Sequence, residues 1–313
     1  MQVYTKINTL YKRYKNLGKV ELPNKQWIKF QNKIILGDFS DDFMAYIKDL
    51  KYDCFSKIDG TNSKIIYFPS TGECFCGGKT DNADIVGTGQ KAMLDQVIER
   101  IKPILGELFP KESAKFTPVL NERNQVQYYW PEVMNLPEGS LPVRGDAVDN
   151  ITGNGTYMVT LEEVPVYIYG EFYGKGIQKC GGNYGDEKRF TVFDICQQGW
   201  YVPVTMLYDY CEKLGLEVAP YLGQMTIDEA EKMVVHGFKT RVPNVANPEF
   251  IEEGIVARPI VPIKDPRGNR IIVKIKHCDY AELNAVIDEL GTIEYDKFHK
   301  WYMENRNEIE GVK

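Results

Sequence analysis

Lys57-Ile-Asp-Gly60 puts an amine, a carboxylate and a glycine within four residues of the stretch YDCFSKIDGTNSKIIYF, 52–68. A lysine amine with its usual pKa near ~10.4 is about a thousandfold protonated at neutral pH, so it becomes a nucleophile only where its charge is disfavoured. Neighbouring cations do that. Val273-Lys-Ile-Lys276 offers two of them. Strand alternation points both ammonium groups to one face and Ile275 to the other. Two like charges side by side make sense if an anion sits between them. Two more apolar, strand-like runs carry a carboxylate: Gly170-Glu-Phe-Tyr-Gly174 and Glu253-Gly-Ile-Val256. Each segment alone also has a plain structural reading. Lys57 can be the end of a strand before a tight turn for which Gly60 supplies positive φ. Glu171 can pair with a lysine across a sheet, Phe193 can be a core aromatic, and Lys274 and Lys276 can face solvent.

The elements that must hold these groups follow from periodicity. Strands are predicted at 52–57, 63–68, 73–77, 164–172, 189–195, 253–259 and 269–277. A helix is expected over 40–50, with Ser40 as N-cap and Asp41 and Asp42 in its first turn. A second spans 87–109, with Met93, Val97, Ile101 and Leu105 on its apolar face and a kink or split at Pro103. Two more are read at 204–214 and at 227–236, the latter opened by a capping box of Thr226 and Glu229. A helical tail closes the chain. Strands and helices mix without regular βαβ alternation, which favours a largely antiparallel α+β body. Residues 110–165, with Pro110, Pro118, Pro131, Pro137, Pro142 and the run NITGNGTY, read as a loop-rich insertion. The domain reading is therefore 1–278 as one domain carrying this insertion and 279–313 as a helical C-terminal extension.

The chain of 313 residues is long enough for a large core, and 43% hydrophobic with 26% charged residues is ordinary for a globular protein. No apolar run approaches bilayer length, and MQVYTKINTLYKRYK lacks the apolar centre of a signal peptide. The expectation is a cytoplasmic protein with no membrane association and no obligate protein partner. Seven cysteines without a C-x-x-C pair signal neither a disulfide framework nor a zinc site. His236, His277 and His299 have no triad or metal spacing, and GTGQK (87–91) lacks the full glycine pattern of a dinucleotide loop. Net charge is −6, yet residues 1–33 carry eight Lys/Arg against Glu21 alone. Residues 258–277 carry Arg258, Lys264, Arg267, Arg270, Lys274 and Lys276 against Asp265, and the last 35 residues are acidic. Such segregation can concentrate positive potential where phosphate binds, whatever the net charge.

The four segments, in this order, resemble motifs I, III, IV and V of the covalent nucleotidyltransferases: ATP-dependent DNA ligases, RNA ligases and mRNA capping enzymes. The ordered set carries the resemblance. Thr61-Asn62 after the lysine segment, YGEFYGKGIQKCGGNYG, FTVFDI and GGKTDN (77–82) are similar to RNA ligases of the phage RNA ligase 2 type. The likeness covers about 52–87 and 166–277. It implies a nucleotidyltransferase catalytic fold, ATP-grasp-like and largely antiparallel, with ATP and Mg²⁺ (or Mn²⁺) as cofactors. It also implies that Lys57 takes AMP, that AMP passes to an RNA 5′-phosphate, and that a 3′-hydroxyl then seals the strand.

By the same resemblance, Lys57, Lys274 and Lys276 are the catalytic residues, and Asp59, Gly60, Lys79, Glu171, Phe193, Lys274 and Lys276 bind the nucleotide. Glu171 would hold the ribose hydroxyls, Phe193 would stack on adenine, and Glu253 would bind the metal. Lys79 stands where related ligases usually carry arginine, and lysine lacks the bidentate fork for phosphate. DNA ligases and capping enzymes typically add an OB-fold after motif V; only residues 277–313 remain here, so no complete OB-fold is expected. An ATP-dependent DNA ligase and a non-catalytic nucleotide-binding protein of the same fold are the alternatives. The basic 1–33 segment and the insertion are candidates for gripping the nucleic acid, and the phage-like resemblance suggests a viral source acting in a host cell's cytoplasm.

Overall fold

The computed structural model describes residues 4, 7–14, 32–79, 85–110, 165–197, 200–265 and 268–305. It also gives the backbone of strands Lys19–Glu21, Trp27–Lys29, Lys115–Leu120, Val126–Pro131 and Tyr157–Met158, and of the last helix as far as Ile309. The architecture is mixed α+β, and most strand pairs are antiparallel. The chain forms two units. One comprises 1–62, 171–193 and 217–313; the other comprises 63–170 and 194–216.

The first unit is built on a five-stranded sheet in the order Asn8–Thr9, Val273–Lys276, Gly254–Pro259, Tyr52–Lys57, Tyr221–Met225. The alternation expected of Val273–Lys276 is present. Val273 and Ile275 are buried, while Lys274 and Lys276 are half-buried on the other face. Ile255 and Ile275 are cross-strand partners in the main core, with Tyr52, Cys54, Ala257 and Leu222. Burying one such aliphatic side chain is worth about 1.5–3 kcal/mol. A slip of one residue would turn Ile275 out and two ammonium groups in, so the core fixes the register on which the lysines depend. Helices Ile227–His236, His277–Leu290 and Thr292–Ile309 supply Ala230, Val234, Tyr280, Leu283, Phe298 and Tyr302 to the same core.

The second unit carries sheet segments in the order 200–201, 194–197, 166–170, 63–68, 73–78, and the helices Gly89–Leu108 and Val204–Leu214. The long helix begins at Thr88, whose hydroxyl accepts from the Lys91 N–H, and it continues through Pro103 unsplit. Its buried stripe is Leu94, Ile98, Ile101 and Leu105. The expected stripe was one position off at its first two members, since Met93 and Val97 are half-buried. The 110–165 segment, read as loop-rich, contains an antiparallel sheet of 126–131, 115–120 and 157–158. Its remaining residues lie outside the described set.

Two element expectations are corrected. The 40–50 helix shrinks to Met44–Ile47 and Ser40 does not cap it; the Ser40 N–H bonds the Leu10 carbonyl, and Asp41 Oδ1 accepts from the Phe43 N–H at 3.0 Å. The 269–277 strand is only Val273–Lys276, because Asp265 draws the Asn269 N–H and side chain into a turn at 2.7 and 2.9 Å. The capping box at Thr226 forms as expected: Thr226 Oγ1 accepts from the Glu229 N–H, and Glu229 accepts from the Thr226 N–H. The Lys51 hydrogen bond, followed by the Thr226 N–H, pulls the Glu229 carboxyl down to about 2. This depressed value means the carboxylate's contribution is complete above the ordinary pKa near 4.5 and is lost as pH falls toward 2. Thr226→Ala should cost about 1 kcal/mol in urea unfolding at neutral pH.

Among the described residues no helix is long and apolar enough to cross a membrane. All seven cysteines are free thiols, and burial pushes Cys54 and Cys211 up to about 12, away from reactivity.

Candidate active site

Three adjacent strands of the first unit's sheet bring Lys57, Gly254 and Lys276 to one register: Gly254 pairs with Lys57 on one side and with Lys276 on the other. No side chain rises between the lysines, and none could. A Cβ on Gly254 would lie 1.9 Å from the Ile275 carbonyl oxygen, and the residue's φ of +156° is itself one that favours glycine. Glu253, next in the chain, fills the gap. Its Oε2 accepts from Lys57 Nζ and its Oε1 from Lys276 Nζ, the latter at 2.5 Å. The side chains of Lys57, Glu253 and Lys276 are 20%, 13% and 27% exposed, so the triad is screened only partly by water. Burial pulls the Lys276 ammonium down, but the hydrogen bond and charge of Glu253, followed by Cys278 and Asp279, outweigh it and leave its pKa raised. The Glu253 carboxylate thus lies between the ammonium groups of Lys276 and Lys57. Lys274 stands two residues along the same face, opposite Val256.

Asp59 and Gly60 lead the chain from Lys57 toward the strand of Glu171. A Cβ at Gly60 would meet the Phe172 carbonyl oxygen at 2.5 Å and Glu171 Cγ at 2.7 Å. The close approach that glycine permits here is thus to protein backbone, and it sets Glu171 beside the lysine segment. Asp59 Oδ2 accepts from the Cys180 N–H at 3.3 Å, tying the same segment to the glycine-rich 174–185 turn. Phe193 is half-buried, edge-on to Tyr4 at 5.2 Å, and its carbonyl accepts from Arg258 Nη1 at 3.3 Å. Lys79 belongs to the other unit, exposed just past the Glu73–Gly78 strand.

Two features escaped the sequence reading. Asn62 Oδ1 is buried and has no partner; its only cue was its place after the lysine segment. Glu252 is 1% exposed beside Glu253, and nothing in a Glu-Glu pair says which carboxylate turns inward. The basic stretches also change meaning. Arg13 pairs with Asp279 and Lys33 with Glu282, both at 2.6 Å, and Lys12 pairs with Asp38 and Asp42. The basic start and the acidic end of the chain thus neutralise one another in part. Arg258 is buried over the Phe55 ring at 4.5 Å and adds nothing to a basic surface. The other bases before Lys33 lie outside the described residues.

Among the described residues no three His, Cys, Asp or Glu side chains gather as a metal site. The Glu253 carboxylate lies between Lys57 and Lys276. That donor set still fits Mg²⁺ or Mn²⁺, because such ions take one or two carboxylates and complete their shell with waters and phosphate oxygens.

Solved structures similar to this chain include Naegleria gruberi RNA ligase with PPi, at 14% identity, covering 91% of this chain and 63% of that one, TM-score 0.44. A variant of that ligase with AMP and Mn matches at 13% identity, over 90% and 60%, TM-score 0.45. Another variant with ATP and Mn matches at 14%, over 89% and 62%, TM-score 0.45. This chain thus spans 60–63% of the length of those proteins. A profile of the RNA ligase family matches residues 54–276, a span that begins just before Lys57 and closes on Lys276, and the chain belongs to that family.

Proposed function

We propose that the protein is an ATP-dependent RNA ligase that carries AMP on Lys57 as a covalent intermediate. The observation that supports this reading best is the row Lys57–Gly254–Lys276 with the Glu253 carboxylate between its two ammonium groups. Lys57, once it has left Glu253 and lost a proton, attacks the α-phosphorus of ATP in line. A P–N bond forms, the bond from α-phosphorus to the bridging oxygen breaks, and pyrophosphate leaves. Lys274 and Lys276 neutralise the charge that develops on the phosphate oxygens. Glu171 holds the ribose hydroxyls and Phe193 stacks on adenine. Glu253 would hold a divalent cation, which would supply Lewis-acid charge at the phosphates. AMP then passes to an RNA 5′-phosphate as a 5′–5′ pyrophosphate, and a 3′-hydroxyl displaces it.

Incubation with α-labelled ATP and Mg²⁺ tests the first step. The expected result is label that stays with denatured protein, survives alkali and is released by acid, as a phosphoramidate requires. Absence of label, or acid-stable label, rules the reading out. The same assay with GTP separates this chemistry from that of capping enzymes. Sealing of 5′-phosphorylated RNA ends in preference to a DNA nick is the expected outcome of a substrate panel, and the reverse preference would make the protein a DNA ligase.

A further inference from the structure

Glu252 keeps a carboxylate in the interior, and both of its oxygens are engaged. Oε1 accepts from the Tyr184 hydroxyl at 3.0 Å and Oε2 from the Thr240 hydroxyl at 2.8 Å. Tyr184, 1% exposed, accepts in turn from the Asp59 backbone N–H at 3.1 Å. Asp59 is two residues from Lys57, and Glu252 is bonded to Glu253. The contacts therefore close a ring: Lys57, Ile58, Asp59, across to Tyr184, across to Glu252, along to Glu253, and back to Lys57.

We infer that Tyr184 and Glu252 are positioning residues that hold the Lys57 amine and the Glu253 carboxylate in register by fixing the two backbone segments that carry them. This rests on the reading that Lys57 receives AMP. Neither residue reaches the reacting atoms. Packing alone does not call for them: Ile58, Tyr173 and Val242 surround Tyr184, with Phe250 edge-on at 5.4 Å, and a phenylalanine would fill the same space. A buried carboxylate is costly beside an apolar group of equal volume, and what it adds is direction. A hydrogen bond fixes distance and angle where apolar contact permits sliding. Asp59 lies just past the end of the Tyr52–Lys57 strand, where the sheet ladder no longer restrains the chain. The Tyr184 hydroxyl replaces that restraint. On the other arm, the Glu252 N–H bonds the Phe238 carbonyl at 2.9 Å, so this side of the ring is anchored too.

Three variants test it: Tyr184→Phe, Glu252→Gln and Phe250→Leu. Tyr184→Phe should lower the single-turnover rate of AMP transfer to Lys57 at saturating ATP by about tenfold or more, with the half-saturating ATP concentration changed less than about threefold. Hydrogen exchange at the Asp59 amide should accelerate by a similar factor. Glu252→Gln keeps an oxygen for the tyrosine hydroxyl and should stay within about threefold of the parent in both readouts. Phe250→Leu loosens the same cluster without touching the ring; it should lower Tm while leaving both readouts in place. The proposal is overturned if Tyr184→Phe matches the parent in rate and exchange, or if Phe250→Leu loses as much as Tyr184→Phe. Should the parent protein take no AMP at all, the ligase reading fails instead, and the Asp59 exchange still decides whether the ring holds the segment.

Discussion

Lys57→Arg should fold like the parent and take no AMP, with label from α-labelled ATP down by at least about 10³-fold, equivalent to about 4 kcal/mol of transition-state stabilisation. Arginine keeps a cation on the Glu253 carboxylate, so the charge balance of the triad is preserved. What it lacks is a nitrogen lone pair, because a guanidinium stays protonated in proteins. Lys57→Ala should be equally inactive for a second reason, the loss of the amine altogether. Its fold should survive, since Glu253 retains Lys276 and is not left as an uncompensated buried charge. A part-exposed pair of this kind is worth about 1 kcal/mol or less, which moves Tm by about 2 °C or less in a chain of this size. Charging measured by gel label and unfolding measured by circular dichroism separate the two effects. An arginine variant that still accepts AMP would place the nucleophile elsewhere.

Gly254→Ala should damage fold and site together. Its added methyl would overlap the Ile275 carbonyl oxygen at 1.9 Å, which is backbone in the adjacent strand and has no rotamer through which to yield. Either the Gly254–Pro259 strand moves away from Val273–Lys276 or the local ladder opens. A cost of about 3–5 kcal/mol is expected, in the range of backbone strain combined with lost sheet pairing. That corresponds to a fall in Tm of about 4–8 °C. Gly268→Ala is the control. It also has positive φ, +83°, but no atom lies within 4 Å of its Cβ position, so only the conformational strain of about 1 kcal/mol applies. Similar losses for the two variants would mean that the close approach at Gly254 is not what confines the strand.

Local pattern carried much of this fold. The helices at 204–214 and 227–236 are set by short-range rules of period and capping, and each appears where those rules put it, while the Val-Lys-Ile-Lys strand keeps its alternation within a shorter span. The Tyr221–Met225 strand was missed because Pro220 and Gly223 punctuate it, although it pairs with the Tyr52–Lys57 strand through a register shift between Tyr221 and Gly223. The short Met44–Ile47 helix was overdrawn because three good cap residues precede it, and tertiary contacts claim Ser40 first. At the site, residue type announced Lys57, Glu253 and the paired lysines. The partner of each was not legible, since Lys57 and Glu253 are 196 positions apart and Tyr184 and Glu252 are 68 apart. No local period encodes contacts at such separations.

The first unit's sheet draws its strands from positions near 8, 52, 221, 254 and 273 of the chain. During synthesis the ribosome therefore delivers Lys57 some two hundred residues before the strand that pairs beside it, and Lys276 later still. Until then the Tyr52–Lys57 strand lacks its Gly254–Pro259 partner, a state open to chaperone capture and to aggregation. The Lys57–Glu253–Lys276 cluster is thus complete only once residues 253–276 have been made, and a message truncated before codon 253 would yield Lys57 without its counter-ion.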